Sequence, residues 1–245
     1  MSEIIKTEAV VLSKMDYRDS SNIALLFTED LGKVSVIVKG ARSDKSKYGR
    51  IVDPLNYLSI VIYKKESREI QLLSEADVVE HFPEIKNDLK KMGFAYGVLE
   101  LVKNLLAEHE INKKLFRGVV KILQRLARGE EVPDITFGRF LFFLLKEIGY
   151  EIQIGVCATC GRAVDSENAF YHRDKGVMCG KCKVSAVDII KINAELFKYL
   201  NCLNSGESAD NFDNLIMQKA IIFMENHLKY HVPDFKGINS IKLFN

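Results

Sequence analysis

Four cysteines constrain the fold of this chain more than any other feature of its sequence. They form two CxxC pairs, Cys157 with Cys160 and Cys179 with Cys182, and eighteen residues separate the pairs. Two such pairs at this separation are typical of a zinc ion bound by four thiolates in tetrahedral geometry. Because four protein ligands leave no position for water, the spacing predicts one structural Zn2+ ion and argues against a catalytic one.

The same cysteines could instead be redox-active thiols, disulfides or core residues. Disulfides are disfavoured because nothing at the N-terminus resembles a signal peptide. A thioredoxin-like site needs a βαβ setting and only one CxxC pair. Gly161 and Gly180 fit the tight turns that surround the sulfurs. We interpret Cys202 as a small core residue of a helix, and we exclude His172 as a ligand because four thiolates already complete the site.

The basic residues are concentrated in one segment. The chain has 245 residues and a net charge of +2, but residues 33–50 carry +5, which leaves −3 for the rest. A local basic segment on a nearly neutral protein indicates an anion-binding surface better than uniform basicity does. No apolar run approaches the roughly 18 residues that span a membrane. We therefore expect a cytoplasmic protein with no membrane partner.

Residues 4–80 predict a small β domain. Five short segments carry the apolar alternation and flanking turn residues of strands, with no helix between them. Five strands of this length suggest a small antiparallel barrel or sandwich, and the OB-fold is the commonest five-stranded form that binds nucleic acid. The predicted strands cover residues 5–12, 22–28, 34–39, 57–64 and 70–76.

From about Glu84 the apolar residues recur at helical spacing. Asn112 is a candidate N-cap for a second helix that ends at Gly129, and Pro133 begins a third that ends near Gly149. A hairpin is expected between the CxxC pairs, and two further helices are expected after them, at 193–203 and 212–230.

These patterns together predict an α+β multidomain protein, with an N-terminal OB-fold barrel and an α-helical bundle that carries an inserted four-cysteine zinc module. The predicted domains are an OB-fold nucleic-acid-binding domain at 1–80, a first helical part at 81–153, the zinc-binding insertion at 154–186 and a second helical part at 187–245.

The sequence offers no recognisable catalytic motif. It contains no GxxxxGK[ST] loop, no GxGxxG at a strand-to-helix turn, no GxSxG elbow and no HExxH. None of its five histidines stands in a nucleophile or metal frame. We therefore predict that the protein is not an enzyme, and a zinc-ribbon nucleic-acid enzyme whose active residues follow no known motif stays an alternative.

The segment from Lys33 to Arg50 is the candidate nucleic-acid-binding site. Its cations would neutralise phosphates and release counterions, its serines and amides would add phosphate hydrogen bonds, and its tyrosine would stack on an unpaired base. A solvated loop with no ligand is the alternative interpretation. The candidate residues are Lys33, Lys39, Arg42, Lys45, Lys47, Tyr48 and Arg50.

The order of barrel, helical bundle and four-cysteine insertion is similar to that of the bacterial RecO family of recombination mediators. Short segments along nearly the whole chain carry the resemblance, and their order is more specific than any one of them. They are Asp30-Leu31-Gly32-Lys33, Val38-Lys39-Gly40-Ala41-Arg42, Lys45-Ser46-Lys47, Asp53-Pro54-Leu55, Glu147-Ile148-Gly149-Tyr150 and Asn226-His227-Leu228 followed by Phe235-Lys236.

The resemblance implies a role in DNA repair and homologous recombination after DNA damage. Members of the family bind single- and double-stranded DNA, anneal complementary strands and, with RecR, help to load RecA on DNA coated by single-stranded DNA-binding protein. It implies DNA contact at the basic segment, and a cytoplasmic, nucleoid-associated location. The groove for the tail of single-stranded DNA-binding protein is expected in the helical part, where Arg125, Arg128, Lys191 and Lys198 are candidates.

A protein–protein adaptor is the alternative function. In that case the barrel and the zinc module would bind protein partners, and the basic segment would be solvated with no direct role in nucleic-acid binding.

Overall fold

The structure, a computed structural model, describes residues 3–43, 46, 48–183 and 188–243. The chain divides into two compact units, Met1–Arg128 together with Ile238–Asn245, and Gly129–Gly237. The strands are β1 Glu3–Tyr17, β2 Ser21–Thr28, β3 Gly32–Val38, β4 Tyr57–Lys64, β5 Ile70–Glu80, β6 Ala169–His172, β7 Gly176–Cys179 and β8 Ile189–Lys191. The helices are α1 Pro83–Lys86, α2 Leu89–Leu105, α3 Lys113–Arg128, α4 Pro133–Glu147, α5 Ala194–Ser205, α6 Asn214–His231 and α7 Asn239–Leu243.

The first five strands form a closed barrel in the order β1-β2-β3-β5-β4, with β4 pairing back to β1. The expectation of a wholly antiparallel barrel is wrong for one pair: strands β3 and β5 are parallel, and the other neighbouring pairs are antiparallel. A five-stranded Greek-key barrel of this kind is the OB architecture. The predicted α+β fold with an N-terminal OB barrel is confirmed.

Strand β1 is longer than the sequence pattern predicted, because it serves two neighbours. Its first half pairs with β4 from Glu3 to Val10, and its second half pairs with β2 from Ala9 to Tyr17. The register shifts between Val11 and Ser13, and such a bulge bends a strand and increases its twist. With this bend, β1 pairs with β4 on one side and with β2 on the other, and the barrel is closed.

The helices of the first unit pack against the barrel and against one another. The predicted N-cap of α3 is confirmed, because the side chain of Asn112 accepts a hydrogen bond from the amide of Leu115 at 2.8 Å. Helix α3 then places Phe116 edge-on to Phe27, with ring centroids 5.6 Å apart. The short α7 was not predicted. The carboxylate of Glu100 in α2 accepts hydrogen bonds from the N-terminal residues of α7.

The second unit contains α4, α5, α6 and a three-stranded sheet in the order β7-β6-β8. The predicted hairpin between the CxxC pairs is β6–β7, and the side chains of Asn193 and Asp213 cap α5 and α6. Gly138 brings α4 close to α5, because a Cβ there would lie 2.8 Å from the side chain of Leu203. The four domain boundaries expected from the sequence stay predictions. Among the described residues, no helix is both long and apolar enough to cross a bilayer.

Candidate metal centre and nucleic-acid interface

The four predicted cysteine ligands converge on one point. The sulfur atoms of Cys157, Cys160, Cys179 and Cys182 all lie within 4.8 Å of one another, and those of Cys160 and Cys179 are 3.9 Å apart. A metal–sulfur distance of about 2.3 Å in tetrahedral geometry gives sulfur–sulfur edges of about 3.8 Å. The arrangement therefore fits a metal ion bound by four sulfurs, and the geometry brings both predicted CxxC pairs together.

Local backbone hydrogen bonds fold the segment around these sulfurs. The amide of Gly161 donates to the carbonyl of Cys157 at 2.9 Å, and the amide of Cys182 donates to the carbonyl of Cys179 at 3.0 Å. Gly161 has a φ of 70°, which favours glycine. The amide of Ala158 donates to Val177 of β7 at 2.8 Å, which ties the first CxxC turn to the strand that leads into the second.

The thiols differ in their acidity. Burial raises the pKa of Cys157, but hydrogen bonds from the amides of Cys179, Cys160 and Thr159 outweigh it and bring the pKa to about 6. Amide hydrogen bonds, led by that from Cys182, also lower the pKa of Cys179. The neighbouring thiol of Cys160, followed by desolvation, raises the pKa of Cys182 to about 12. At Cys157 and Cys179 the backbone thus stabilises thiolate, the form of cysteine that ligates metal.

Two residues that the sequence excluded as ligands lie outside the cluster. Cys202 is in α5 and half-buried, and burial raises the pKa of its thiol. His172 is at the end of β6, where its Nδ1 accepts a hydrogen bond from the amide of Asp174 at 3.2 Å.

Three of the predicted DNA contacts are exposed on the long connection between β3 and β4. They are Lys39, Arg42 and Arg50. The amide of Arg42 donates to the carbonyl of Ser20 at 3.0 Å, and its guanidinium donates to the carbonyl of Arg18 at 3.2 Å. The same guanidinium lies 3.5 Å from Asp16. The start of the connection is therefore held against the β1–β2 turn.

The connection folds back on itself at Gly49. A Cβ at that position would lie 2.4 Å from the carbonyl oxygen of Ala41, so only glycine permits the approach. The ammonium of Lys14 in β1 donates to the carbonyl of Gly49 at 3.2 Å and forms an ion pair with Asp53. Arg50, next to Gly49, is thereby brought near the segment that carries Arg42.

Two of the predicted DNA contacts have structural surroundings that do not fit the prediction. Lys33 is buried, and its ammonium donates to the carbonyl of Lys103 at 2.6 Å. Burial lowers its pKa. Tyr48 is half-buried against the barrel core, and its hydroxyl donates to the carbonyl of Ser74 at 3.4 Å. Lys33 therefore ties the barrel to helix α2, and Tyr48 ties the β3–β4 connection to β5. The predicted contacts Lys45 and Lys47 lie outside the described residues.

Arg18 is a candidate contact that sequence reasoning missed. It is exposed in the β1–β2 turn with a φ of 52°, and its guanidinium lies 5.2 Å from the ring centre of Tyr17. Residue 18 is fifteen positions or more from the basic segment, so charge clustering along the chain did not include it. The pairing of β2 with β3 would have indicated it, because that pairing places the β1–β2 turn beside the end of β3. We refer to Arg18, Lys39, Arg42 and Arg50 as the barrel surface.

Comparison with known proteins identifies relatives of both units. The family model "Recombination protein O N terminal" matches residues 1–82, and "Recombination protein O C terminal" matches residues 86–235. The DNA repair protein RecO of Chlorobaculum parvum is 39% identical over 154 residues, which cover 63% of this chain and 59% of that protein. The protein of the same name from Geobacter metallireducens is 36% identical, over 65% of this chain and 64% of that protein.

A longer alignment extends the similarity to nearly the whole chain. The DNA repair protein RecO of Chloroherpeton thalassium is 25% identical over 99% of this chain and 98% of that protein. In the alignments with the Chlorobaculum and Geobacter proteins, by contrast, the chain spans less than two thirds of the relative's length. Since the C-terminal model alone matches more than half of the residues, the chain belongs to the RecO family.

Proposed function

We propose that this protein acts in DNA repair and recombination by binding single- and double-stranded DNA at the barrel surface and annealing complementary strands. One observation carries the proposal: four exposed cations from two separate segments, the β1–β2 turn and the β3–β4 connection, lie on an OB-type barrel of a RecO-family chain. Exposed Lys and Arg neutralise phosphates without reading base sequence, as a general annealing activity requires.

Annealing on such a surface needs no bond-making chemistry. Cations that neutralise the phosphates of two strands lower the repulsion between them, and base pairing supplies the free energy of the product. We therefore propose a binding protein rather than an enzyme. Membership of the family supports RecR, single-stranded DNA-binding protein and, indirectly, RecA as partners, together with a cytoplasmic, nucleoid-associated location.

The four-cysteine cluster fits a structural zinc ion. Cys157, Cys160, Cys179 and Cys182 would hold it, and the sulfur spacing and the thiolate-stabilising amides support this assignment. The ion supplies a four-way cross-link between two turns when bound. The hairpin β6–β7 has strands of four residues each, and such a small module needs a cross-link to fold stably.

A strand-annealing assay tests the proposed function. Two complementary oligonucleotides, one labelled with a donor dye and one with an acceptor, are mixed with zinc-replete protein and no nucleotide cofactor. We expect pairing at least tenfold faster than without protein, and slower pairing as salt rises. A protein that neither binds the single strands nor accelerates pairing at low salt would instead support the adaptor function.

A further inference from the structure

A cavity of about 460 Å³ lies in the second unit, between the small sheet and helix α6. Aromatic and aliphatic side chains form most of its wall, and the cations Arg173, Lys191 and Lys229 lie around it. No carboxylate lines it among the described residues. A largely apolar cavity with only cations at its edge suits a ligand with a flat apolar part and a negative charge.

The aromatic part of the wall is held in place by a buried hydrogen-bond network. Phe223 contacts Tyr171 edge-on, with ring centroids 4.8 Å apart. The hydroxyl of Tyr171 is 2.6 Å from Nδ1 of His227, and Nε2 of His227 is 3.1 Å from the carbonyl oxygen of Tyr150. Tyr230, at the edge of the cavity, donates its hydroxyl to Asp174 at 2.6 Å. The rings that line the cavity are therefore fixed before any ligand arrives.

The polar groups around the cavity differ in whether they are already engaged. Lys229 forms an ion pair with the buried Glu225, and Arg173 lies over the ring of Tyr230 at 5.6 Å. Lys191 and Asn226 are exposed, and the structure shows no hydrogen bond or ion pair for either side chain with any described residue. A free ammonium and a free amide, which both donates and accepts, thus lie beside a fixed aromatic wall.

We propose that this cavity binds an unpaired base of single-stranded DNA. The base would pack on Phe223, the amide of Asn226 would meet its polar edge, and Lys191 with Arg173 would contact the flanking phosphates. A base combines a flat aromatic face with donors and acceptors along its edge, so one base can use both the ring of Phe223 and the amide of Asn226. Because bases in a duplex are stacked and paired, the cavity selects single strands. This inference rests on the proposed DNA-binding function.

The test measures binding of the full-length protein to two strands of equal length and charge, one with normal bases and one with abasic residues. In wild type we expect tighter binding of the strand that carries bases. Phe223→Leu removes the aromatic face but keeps an apolar side chain, and it should weaken binding of that strand about fivefold or more while leaving the abasic strand and the duplex unchanged. Lys191→Glu should weaken binding of both single strands.

Matched variants separate this effect from general damage. Phe212→Leu removes another half-buried ring of the same unit, and Lys219→Glu reverses an exposed charge on α6 outside the cavity; both should bind like wild type. Equal binding of the two strands by wild type and by Phe223→Leu would overturn the inference but leave the barrel surface intact. If Lys191→Glu lost binding of an acidic peptide but kept binding of DNA, the occupant would be a peptide. Failure of wild type to bind any DNA would overturn the proposed function itself.

Discussion

Lys33 shows how position in the fold decides what a cation does. Its ammonium donates to the carbonyl of Lys103, one of the unpaired carbonyls in the last turn of α2, where a positive charge also complements the helix dipole. The start of β3 and the segment before α3 also lie very close together here. A Cβ at Gly32 would lie only 2.3 Å from the carbonyl oxygen of Glu110. Gly32 and Lys33 therefore each have a structural role that is independent of DNA.

We expect Lys33→Met to lower the free energy of unfolding by about 1–2 kcal/mol, because it leaves a carbonyl without its charged partner. Its affinity for DNA, measured at a temperature where the variant is folded, should equal that of wild type. Lys39→Met should do the reverse, with unchanged stability in urea unfolding and weaker DNA binding. Weaker DNA binding by folded Lys33→Met would show that Lys33 contacts DNA after all.

His227 makes the stability of the second unit depend on pH. A neutral imidazole satisfies both of its contacts, since Nδ1 accepts from the hydroxyl of Tyr171 and Nε2 donates to the carbonyl of Tyr150. Burial, together with the charge of His231, lowers the pKa of His227 from 6.5 to about 4. The unfolded chain then binds more protons than the folded one between these pH values, so acid destabilises the fold.

We expect the free energy of unfolding to fall by up to about 3 kcal/mol as the pH drops from about 7 toward 4. His227→Gln, which carries no titrating group, should lose that part of the dependence in urea unfolding measured at several pH values. Because both proteins share the cysteine cluster, the difference between them isolates His227. Curves with the same pH dependence would refute the assignment.

At the scale of elements, the β3–β4 connection owes its shape to one close contact. The carbonyl of Ala41 occupies the space that a side chain at Gly49 would need. We expect Gly49→Ala to push these segments apart, to lower DNA affinity severalfold and to leave the barrel folded by circular dichroism. Gly155→Ala is the control, because its Cβ would meet only an ordinary contact at 3.4 Å. Unchanged DNA affinity in Gly49→Ala would show that the fold of the connection does not matter for binding.

The cysteine cluster offers a matched pair of substitutions. Cys157→Ser should abolish stoichiometric zinc, measured by atomic emission after dialysis, and should lower the thermal midpoint of unfolding. Cys202→Ser, which changes a cysteine outside the cluster, should keep one zinc ion per chain. DNA binding at the barrel surface should be retained by both proteins when folded. A metal-replete wild type that contains no zinc would contradict the proposed centre.

The sequence predicted these elements best where local chemistry determines them. The Asn112 cap, the hairpin between the cysteine pairs and the cluster itself each depend on residues a few positions apart or on a fixed ligand spacing. Prediction was poorer where contacts with residues distant in sequence determine the structure. The extension of β1 to Tyr17 depends on pairing with β2, and the burial of Lys33 depends on α2. The position of Arg18 beside Arg42 depends on the pairing of β2 with β3.

At the scale of the whole molecule, the two strongest sequence signals lie in different units. We propose a metal cross-link for the cysteine pairs in one unit and phosphate contacts for the basic segment in the other. A net charge of only +2 is compatible with DNA binding, because the exposed cations of the barrel surface are grouped rather than spread. The central claim is that this group neutralises phosphates.

The salt dependence of DNA binding tests that claim most directly. We compare the affinity of two proteins for a single strand over a range of salt concentrations. They are wild type and the triple variant Lys39→Ala, Arg42→Ala and Arg50→Ala. A second triple variant, Lys121→Ala, Lys198→Ala and Lys219→Ala, removes the same charge from exposed positions on helices. We predict that the slope of log affinity against log salt flattens by about 2 in the first variant, since each lost phosphate contact contributes about 0.7, and stays at the wild-type value in the second. Equal slopes in all three proteins would contradict the account.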